Sequence, residues 1–460
     1  MLTNGKLVRR YNLTYAPGSD ISLLESVTQI GADSVSSLPP ARFAYTAFDP
    51  KSAKVITMSG ADNSNLPPGV MLAAKPDAAL NDMNSDGLPD LLIAKPGDHQ
   101  IYLNSGVDAK GTHRWSEWTE MGSAASPDEA LGNDGASLAD IDGDSLTDFI
   151  ARRSVDTFFL WRNTGKGLWG EAETFADASN LPFDFENEAV RLLDINNDKH
   201  IDVMYCEDSH GDSYRYYINK GAEYTVYYGE GLGDAMTFDQ RPEMKLADMN
   251  GDRLEDIVLL KDGYAIYWPS GGAGIWDKTR RGDWQGNEAG TGTKMFNPPD
   301  SELDNEPGLK YDWQSLLLAD LNGDGLTDVL YVPEGAARVV YWLNVDSLRF
   351  KGPFEVADTP VKSSLTTVEP ADMNGNGTTD VLWNYPEDSD IDPKKTWQYL
   401  EFCPTEKPYL LKTASNGIGQ KLTFVYSSSV DEYVRDVTVR PWTEGVPISV
   451  PVLAALKQCT

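Results

Sequence analysis

The sequence has few cysteines, few histidines and no long apolar run. Three cysteines in 460 residues, Cys206, Cys403 and Cys459, form neither a disulfide framework nor a metal-binding spacing. No apolar run approaches the roughly 20 residues that cross a bilayer, and the first residues lack the apolar core of a secretory signal peptide. We therefore expect no transmembrane segment and no dependence on disulfides.

Basic residues are scarce relative to acidic ones. The chain has 39 lysines and arginines against 71 aspartates and glutamates, which gives a net charge of −32 and an isoelectric point near 4.4. A surface of this charge repels nucleic acids and anionic membranes, and it attracts divalent cations or basic proteins. We expect no nucleic-acid partner.

The usual catalytic signatures are also missing. The sequence has no His-Glu-x-x-His motif, no Gly-x-Ser-x-Gly elbow and no phosphate-binding Gly-x-x-x-x-Gly-Lys-[Ser/Thr] loop. Of the four histidines, His200 lies in an acidic loop, where a solvent-facing role is favoured. A glycosidase could use paired carboxylates, but a repeat explains these acids in another way. We expect a protein that is not an enzyme.

An acidic nine-residue segment occurs six times at near-constant spacing, which indicates an array of one supersecondary unit. The first aspartates of the copies are residues 82, 140, 194, 248, 320 and 372. An apolar run follows each copy and reads as a buried strand; these runs are residues 91–94, 149–150, 203–206, 257–260, 329–332 and 381–383. A further strand then carries an aromatic cluster, at residues 101–104, 158–161, 214–218, 264–268, 339–342 and 397–400.

A hydrophobic segment precedes each acidic loop, and a weaker strand follows the aromatic strand. The unit is therefore a four-stranded antiparallel sheet. Six such sheets in a row predict an all-β fold, a six-bladed β-propeller over residues 76–405. Each acidic loop is expected to link the first two strands of its blade. The segment near residues 41–58 is expected to complete the closing blade, because an open sheet edge invites aggregation.

The acidic loops have the spacing of a calcium site. Oxygens at positions 1, 3, 5 and 9 converge only if the backbone turns sharply, and glycine at position 6 permits that turn. We predict structural Ca²⁺ bound by Asp82, Asn84, Asp86 and Asp90; by Asp140, Asp142, Asp144 and Asp148; by Asp320, Asn322, Asp324 and Asp328; and by Asp248, Asn250, Asp252 and Asp256.

The loops are not EF-hands, because position 12 carries no glutamate and a strand follows. An alternative is a metal-free turn in which Asp and Asn side chains cap backbone N–H groups. Lys199 and Arg253 occupy position 6 of the third and fourth loops, and the sixth keeps two carboxylates. Those three loops are weaker candidates.

Two segments flank the array and one long insert interrupts it. Residues 1–75 form a β-rich segment, and residues 406–460 contain a β-hairpin around Asn416-Gly417 that reads as the start of a following, truncated domain. The insert spans residues 271–313 and is rich in glycine and tryptophan. We predict that Trp276 and Trp284 bind a partner, because aromatic anchors carry much interface energy; packing beneath a long loop is the alternative.

The six loops resemble the FG-GAP/VCBS repeats of integrin-like propellers. The flanks resemble the amino-terminal half of the B component of insecticidal Tc (ABC-type) toxin complexes, at Arg9–Tyr15 and residues 38–43, 410–419, 434–436 and 440–442. The resemblance implies a virulence-associated toxin propeller that docks on a pore-forming A subunit and gates toxin release from a shell of Rhs-type components. The Tyr-Asp repeats that build that shell are absent from this chain.

We expect a secreted or extracellular location, reached from the cytoplasm by a non-classical route, because the first residues lack a signal-peptide core. A second function remains open at this stage. A propeller can be a calcium-dependent lectin, with aromatic pockets between blades that stack on glycans. The tyrosine and tryptophan clusters are the candidates, although their alternation within strands favours core packing.

Overall fold

We describe the fold from a computed structural model of the chain. The described residues are 2–3, 6–18, 21–60, 66–70, 77–108, 110–121, 127–131, 135–154, 157–165, 167–175, 184–185, 187–206, 215–220, 224–228, 238, 244–261, 264–272, 293–296, 315–386, 391–404, 406–436, 442, 445–446 and 448–459.

The chain is built almost entirely of strands. The amino-terminal strands are β1 (Leu2–Thr3), β2 (Lys6–Leu7), β3 (Arg9–Tyr15), β4 (Leu24–Gly31), β5 (Ala41–Tyr45) and β6 (Lys54–Thr57). Blade 1 contains β7 (Ala78–Asn81), β8 (Asp90–Lys95), β9 (Asp98–Val107) and β10 (His113–Glu120). Blade 2 contains β11 (Ala136–Ala139), β12 (Asp148–Ser154), β13 (Thr157–Trp161) and β14 (Glu173–Phe175). Blade 3 contains β15 (Val190–Leu193), β16 (Asp202–Tyr205), β17 (Arg215–Asn219) and β18 (Tyr224–Tyr228).

The second half of the ring repeats the pattern. Blade 4 contains β19 (Met244–Ala247), β20 (Asp256–Lys261), β21 (Tyr264–Trp268) and β22 (Thr293–Phe296). Blade 5 contains β23 (Leu316–Ala319), β24 (Asp328–Tyr331), β25 (Arg338–Asn344) and β26 (Phe350–Ala357). Blade 6 begins with β27 (Thr367–Ala371), β28 (Asp380–Asn384) and β29 (Trp397–Glu401). The remaining elements are β30 (Leu411–Ser415), β31 (Lys421–Ser428), helix α1 (Ser429–Asp436), β32 (Pro451–Cys459) and the 3-10 turns Pro50–Ser52 and Pro393–Lys395.

The predicted six-bladed all-β propeller is confirmed. Within the described ranges, six four-stranded sheets follow one another, and successive strands of each sheet pair antiparallel. Blade 6 takes its fourth strand from the amino-terminal segment, because β6 pairs with β29 in the register Gln398↔Thr57 to Glu401↔Lys54. The strand that closes the ring is therefore Lys54–Thr57, at the end of the segment that the sequence indicated.

The hydrophobic core lies between neighbouring blades. The strand after each acidic loop is buried on both faces; β24, for example, is buried at all four residues. Its side chains pack against both adjacent blades, which is why these runs are continuously apolar. The cluster between blades 5 and 6 contains Tyr341 and Trp383, and the cluster between blades 6 and 1 contains Trp115 and Trp397.

A six-stranded sheet flanks the propeller and uses both ends of the chain. Its order is β3-β4-β5-β30-β31-β32, and β5 pairs with β30 so that Ala414 lies opposite Phe43. The predicted hairpin at Asn416-Gly417 is present as β30 and β31. The two flanks that the sequence suggested as separate segments thus share one sheet. In the part of the chain described, no helix is long and apolar enough to span a membrane.

Candidate functional site: the acidic loops

The six acidic loops, numbered 1 to 6 with their blades, connect the first and second strands of each blade. In every loop the first aspartate folds the backbone around its own carboxylate. Its Oδ2 accepts a hydrogen bond from the N–H of the sixth loop residue at 2.7–2.9 Å. Its Oδ1 accepts one from the fifth. These Asx-type bonds hold the loop shape without help from another element.

The sixth residue of every loop has a positive φ, between 68° and 88°. Glycine occupies this position in loops 1, 5 and 6, as expected for the left-handed region. Ser145, Lys199 and Arg253 adopt the same conformation in the other three loops, at φ of 70°, 73° and 68°. The departures from glycine therefore leave the turn intact, although a side chain in this region stores strain.

The ninth residue, an aspartate with 0% exposure in all six loops, joins strands within its blade. Its Oδ2 accepts the N–H of the second loop residue at 3.0–3.2 Å. In blades 1 to 5 its Oδ1 accepts a hydrogen bond from a backbone N–H of the third strand, or of a residue just beyond that strand, at 2.7–2.8 Å. Asp380 Oδ1 in blade 6 is buried without a hydrogen-bond partner. Position 9, predicted as a metal ligand, thus has a structural role of its own.

An asparagine beside the ninth aspartate links each of four blades to the one before it. Asn163 Nδ2 donates to the carbonyl of Met83 at 2.9 Å, and Asn219, Asn344 and Asn104 donate in the same way to Ile141, Met249 and Met373. The acceptor is always the second residue of the preceding loop. In blade 6, Cys403 takes this place, with its Sγ 3.8 Å from the carbonyl oxygen of Leu321. Sequence reasoning missed these links, although an asparagine at or just after the aromatic strand was visible in four of the six copies.

The carboxylates converge most closely in loop 2. Oxygens of Asp140, Asp142 and Asp148 all lie within 4.8 Å of one another, and no other loop within the described ranges brings three carboxylates so close. Arg162 forms an ion pair with Asp142, so part of the loop's charge is already compensated by a side chain. Asp144 points more to solvent. The oxygen-only donor set suits a hard cation.

Burial makes the ionised form of the loop carboxylates unfavourable. It raises the pKa of Asp148 to about 7 and that of Asp202 to about 6, mainly because the carboxylates lose contact with water. Burial also raises the pKa of Asp86 to about 7, and the negative charge of Asp82 adds to the shift. Burial raises the pKa of Asp372 to about 6, with the positive charge of Lys407 acting in the opposite direction. The loops would gain from a bound cation.

The other predicted binding residues are either buried in the core or lie outside the described residues. The aromatic side chains suggested as glycan contacts are largely buried between blades, among them Phe158, Tyr217, Tyr341, Trp342 and Tyr399. Trp276 and Trp284, predicted to bind a partner, lie outside the described residues, as do most of the insert and His210.

Two histidines pack in the core. His113 Nε2 lies 2.6 Å from Asn104 Oδ1 and its Nδ1 lies 2.9 Å from the hydroxyl of Tyr399, and burial lowers the pKa of His113 to about 3. His99 Nε2 lies 3.0 Å from the carbonyl oxygen of Glu129. Each ring is thus fixed by core partners.

Comparisons with known proteins agree with a propeller built from acidic-loop repeats. The model of the FG-GAP-like repeat family matches residues 82–151 and 320–383. A search of curated proteins finds no match. Among solved structures, the Tc holotoxin pore of Photorhabdus luminescens is 21% identical, with a TM-score of 0.75 over 99% of this chain and 20% of that one. A TcdB2-TccC3 structure is 19% identical, with a TM-score of 0.62 over 100% of this chain and 21% of that one.

The chain therefore spans about a fifth of the length of the Tc chains that it matches. The matches extend across the propeller and the flanking sheet alike. The chain thus has a β-propeller fold with FG-GAP-like repeats, and this fold is similar to that of the matched parts of the Tc toxin chains.

Proposed function

We propose that this chain is the docking propeller of a Tc-type toxin B component, which binds the pore-forming A subunit and gates the release of the toxic polypeptide. The observation that carries the proposal is the extent of the structural match, 99% of the chain at a TM-score of 0.75. A generic propeller would match over the blades alone. Here the six-stranded sheet made from both chain ends is included.

The geometry supports a docking role. The interblade hydrogen bonds from Asn163, Asn219, Asn344 and Asn104 join four of the six pairs of neighbouring blades, which favours a propeller that presents its loops without rearranging. Preorganised surfaces bind partners at a lower entropic cost. The net charge of −32 favours a partner with basic contact residues. We place the partner contact at the insert of residues 271–313, through Trp276 and Trp284.

We further propose that Ca²⁺ stabilises the propeller through its acidic loops. Asp140, Asp142 and Asp148 would hold an ion in loop 2, and the equivalent positions would do so in loops 1, 4 and 5. The ion would supply the positive charge that lets several buried carboxylates ionise together. It has no catalytic role in this proposal. Arg162 competes for Asp142, so we expect loop 2 to bind more weakly than its carboxylate count suggests.

Binding of the 460-residue chain to a Tc pore-forming subunit tests the docking proposal. The chain is immobilised, the subunit is passed over it, and the same preparation is applied to a glycan array. We expect saturable binding of the subunit and no glycan signal. Specific glycan binding without subunit binding would instead support the lectin function, and binding to neither would contradict both.

A further inference from the structure

The first strand of each described blade lies at the inner edge of the propeller. It is an edge strand of its sheet, and the first strands of blades 5 and 6, β23 and β27, contact each other. The residue three positions before each acidic loop pairs with the third residue of the second strand, so these residues occupy equivalent inner positions. All six are partly exposed, and they are Ala79, Ser137, Arg191, Lys245, Leu317 and Glu369.

Two neighbouring blades carry a cation at this inner position, Arg191 in blade 3 and Lys245 in blade 4. Burial lowers the pKa of both side chains, and the positive charge of Arg191 lowers the pKa of Lys245 further. The two charges are therefore close enough to repel each other. In a chain with a net charge of −32, two adjacent and partly buried cations are an exception, and their repulsion is relieved only by a counter-charge.

The guanidinium group of Arg191 is held in a fixed orientation. Its Nη1 donates hydrogen bonds to the carbonyl oxygens of Glu188 at 2.8 Å and Val190 at 2.7 Å. Its central carbon lies 4.4 Å from the ring centroid of Phe238, a side chain that is 1% exposed. A cation over an aromatic face is stabilised without being neutralised. Arg191 is thus oriented in advance and keeps its full charge.

No acidic side chain among the described residues pairs with either cation. The charge of Glu188 raises the pKa of Arg191 against the larger effect of burial, but Glu188 is exposed and forms no ion pair with Arg191. Lys245 has neither a hydrogen bond nor an ion pair in the described part of the chain. Glu369 is the one acid at the six inner positions, but it lies in blade 6 and pairs with neither cation.

The two side chains together have the chemistry of an oxyanion site. A guanidinium presents a planar set of donors that matches two oxygens of a phosphate or carboxylate, and an ammonium adds a compact point charge with three donors. A monoanion would compensate one of the two charges, whereas a dianion would compensate both. The pair therefore favours a doubly charged oxyanion.

We propose that Arg191 and Lys245 form a binding site for a doubly charged oxyanion of the phosphate class at the inner edge of blades 3 and 4. The proposal goes beyond the docking function and rests neither on it nor on calcium in the acidic loops. It assigns a ligand to the only two neighbouring blades that both carry a cation at the inner position.

Calorimetric titration of the full chain with sulfate, inorganic phosphate and acetate tests the proposal. The protein is first freed of metal by a chelator, which is then removed by dialysis, and chloride keeps the ionic strength constant. We expect saturable binding of one sulfate or phosphate per chain. Acetate should bind at least about tenfold more weakly, because it compensates only one charge. The absence of saturable binding by both dianions would overturn the proposal.

Glycerol 3-phosphate separates two sources of the same chemistry. Binding as strong as that of inorganic phosphate would mean that the site accepts the phosphate group of a larger ester. Binding of inorganic phosphate alone would limit the ligand to the free ion. Either result supports an oxyanion site at this place, provided that the variants of the two cations abolish it.

Lys245→Met removes one charge and keeps the length of the side chain. It should weaken sulfate binding by at least about tenfold, the typical loss for a charge-assisted hydrogen bond. Lys51→Met removes the same charge from an exposed turn and is the matched control, which should bind as the parent does. Arg191→Lys keeps the charge and loses the planar set of donors, so it should also bind more weakly. Parent-like binding by Lys245→Met would contradict the site.

Thermal unfolding gives a readout that does not depend on calorimetry. In chloride buffer, Lys245→Met should have a Tm equal to or above that of the parent, because it removes a charge that repels Arg191. Sulfate should raise the Tm of the parent more than that of Lys245→Met. Equal increases in both would show that sulfate acts through its exclusion from the protein surface, and a lower Tm of Lys245→Met in chloride would mean that Lys245 stabilises the fold itself. Each of these two results would overturn the proposal.

Discussion

Asn104 Nδ2 donates a 2.8 Å hydrogen bond to the carbonyl oxygen of Met373, a residue 269 positions later in the chain. The bond joins blade 1 to blade 6. The same amide accepts a hydrogen bond from the N–H of Gly106 at 3.0 Å through its Oδ1, which fixes its orientation. Asparagine suits this place because one side chain provides both a donor and an acceptor.

The asparagines that link neighbouring blades should contribute measurable stability. We expect Asn344→Ala to lower the free energy of unfolding by about 1–3 kcal/mol, because it leaves the buried carbonyl of Met249 without this donor. Urea denaturation measures the change. Asn12→Ala, at an exposed position on edge strand β3, is the matched control and should change stability by less than about 0.5 kcal/mol. Equal losses in both variants would contradict a specific role for these interblade asparagines.

We expect position 9 of an acidic loop to stabilise the fold with or without calcium, and position 5 to act mainly through calcium binding. Asp328→Asn replaces an oxygen that accepts from the N–H of Leu321 or Asn344 with an amide donor. We expect it to cost about 2 kcal/mol or more with or without calcium, because a buried donor loses its acceptor. Asp324→Asn is the matched change at the partly exposed position 5. It should cost little in chelator and should mainly reduce stabilisation by calcium.

Calcium should stabilise the fold, and the effect should depend on pH. The pKa values of Asp148 and Asp256 are raised to about 7 in the folded state, above the ordinary value near 3.9 for the unfolded chain. Such groups favour folding fully below pH 4, and this contribution is lost as the pH rises towards 7. In chelator, Tm should therefore fall over that range. With calcium, Tm at pH 7 should be higher and the fall smaller.

A Tm that is indifferent to calcium and chelator at pH 7, with no metal found by elemental analysis, would leave metal-free Asx turns as the explanation of the loops. The hydrogen bonds from the fifth and sixth residues to the first aspartate form without any ion, so the turn geometry by itself does not decide between the two.

The tryptophans of the insert test the docking surface. We expect Trp276→Ala and Trp284→Ala to weaken binding of a Tc pore-forming subunit by about tenfold or more, because aromatic anchors dominate interface energy. Their melting curves should match the parent. Leu348→Ala, at an exposed apolar residue of blade 5, is the control and should bind normally. A large loss of stability with binding retained by the folded fraction would assign both tryptophans to the core.

The sequence by itself determined the repeat unit and the number of blades. A short apolar run after each acidic loop is typical of a buried strand, and six copies of the loop at near-constant spacing predict six blades. The turn at position 6 was also readable where glycine stands. Hydrogen bonds from the fifth and sixth loop residues to the first aspartate determine this turn. Such local interactions can be predicted from sequence because they join residues that are close in the chain.

Contacts between residues far apart in the chain needed the tertiary structure. Nothing around Asn104 indicates that its amide meets Met373, and nothing around Val430 indicates that it packs on Gly87 and Gly375. No sequence pattern indicates that β5 pairs with β30 either. Periodicity reports which face of an element is buried, but it does not report against which distant element. The closed ring was therefore decided by packing between blades and between the two ends of the chain.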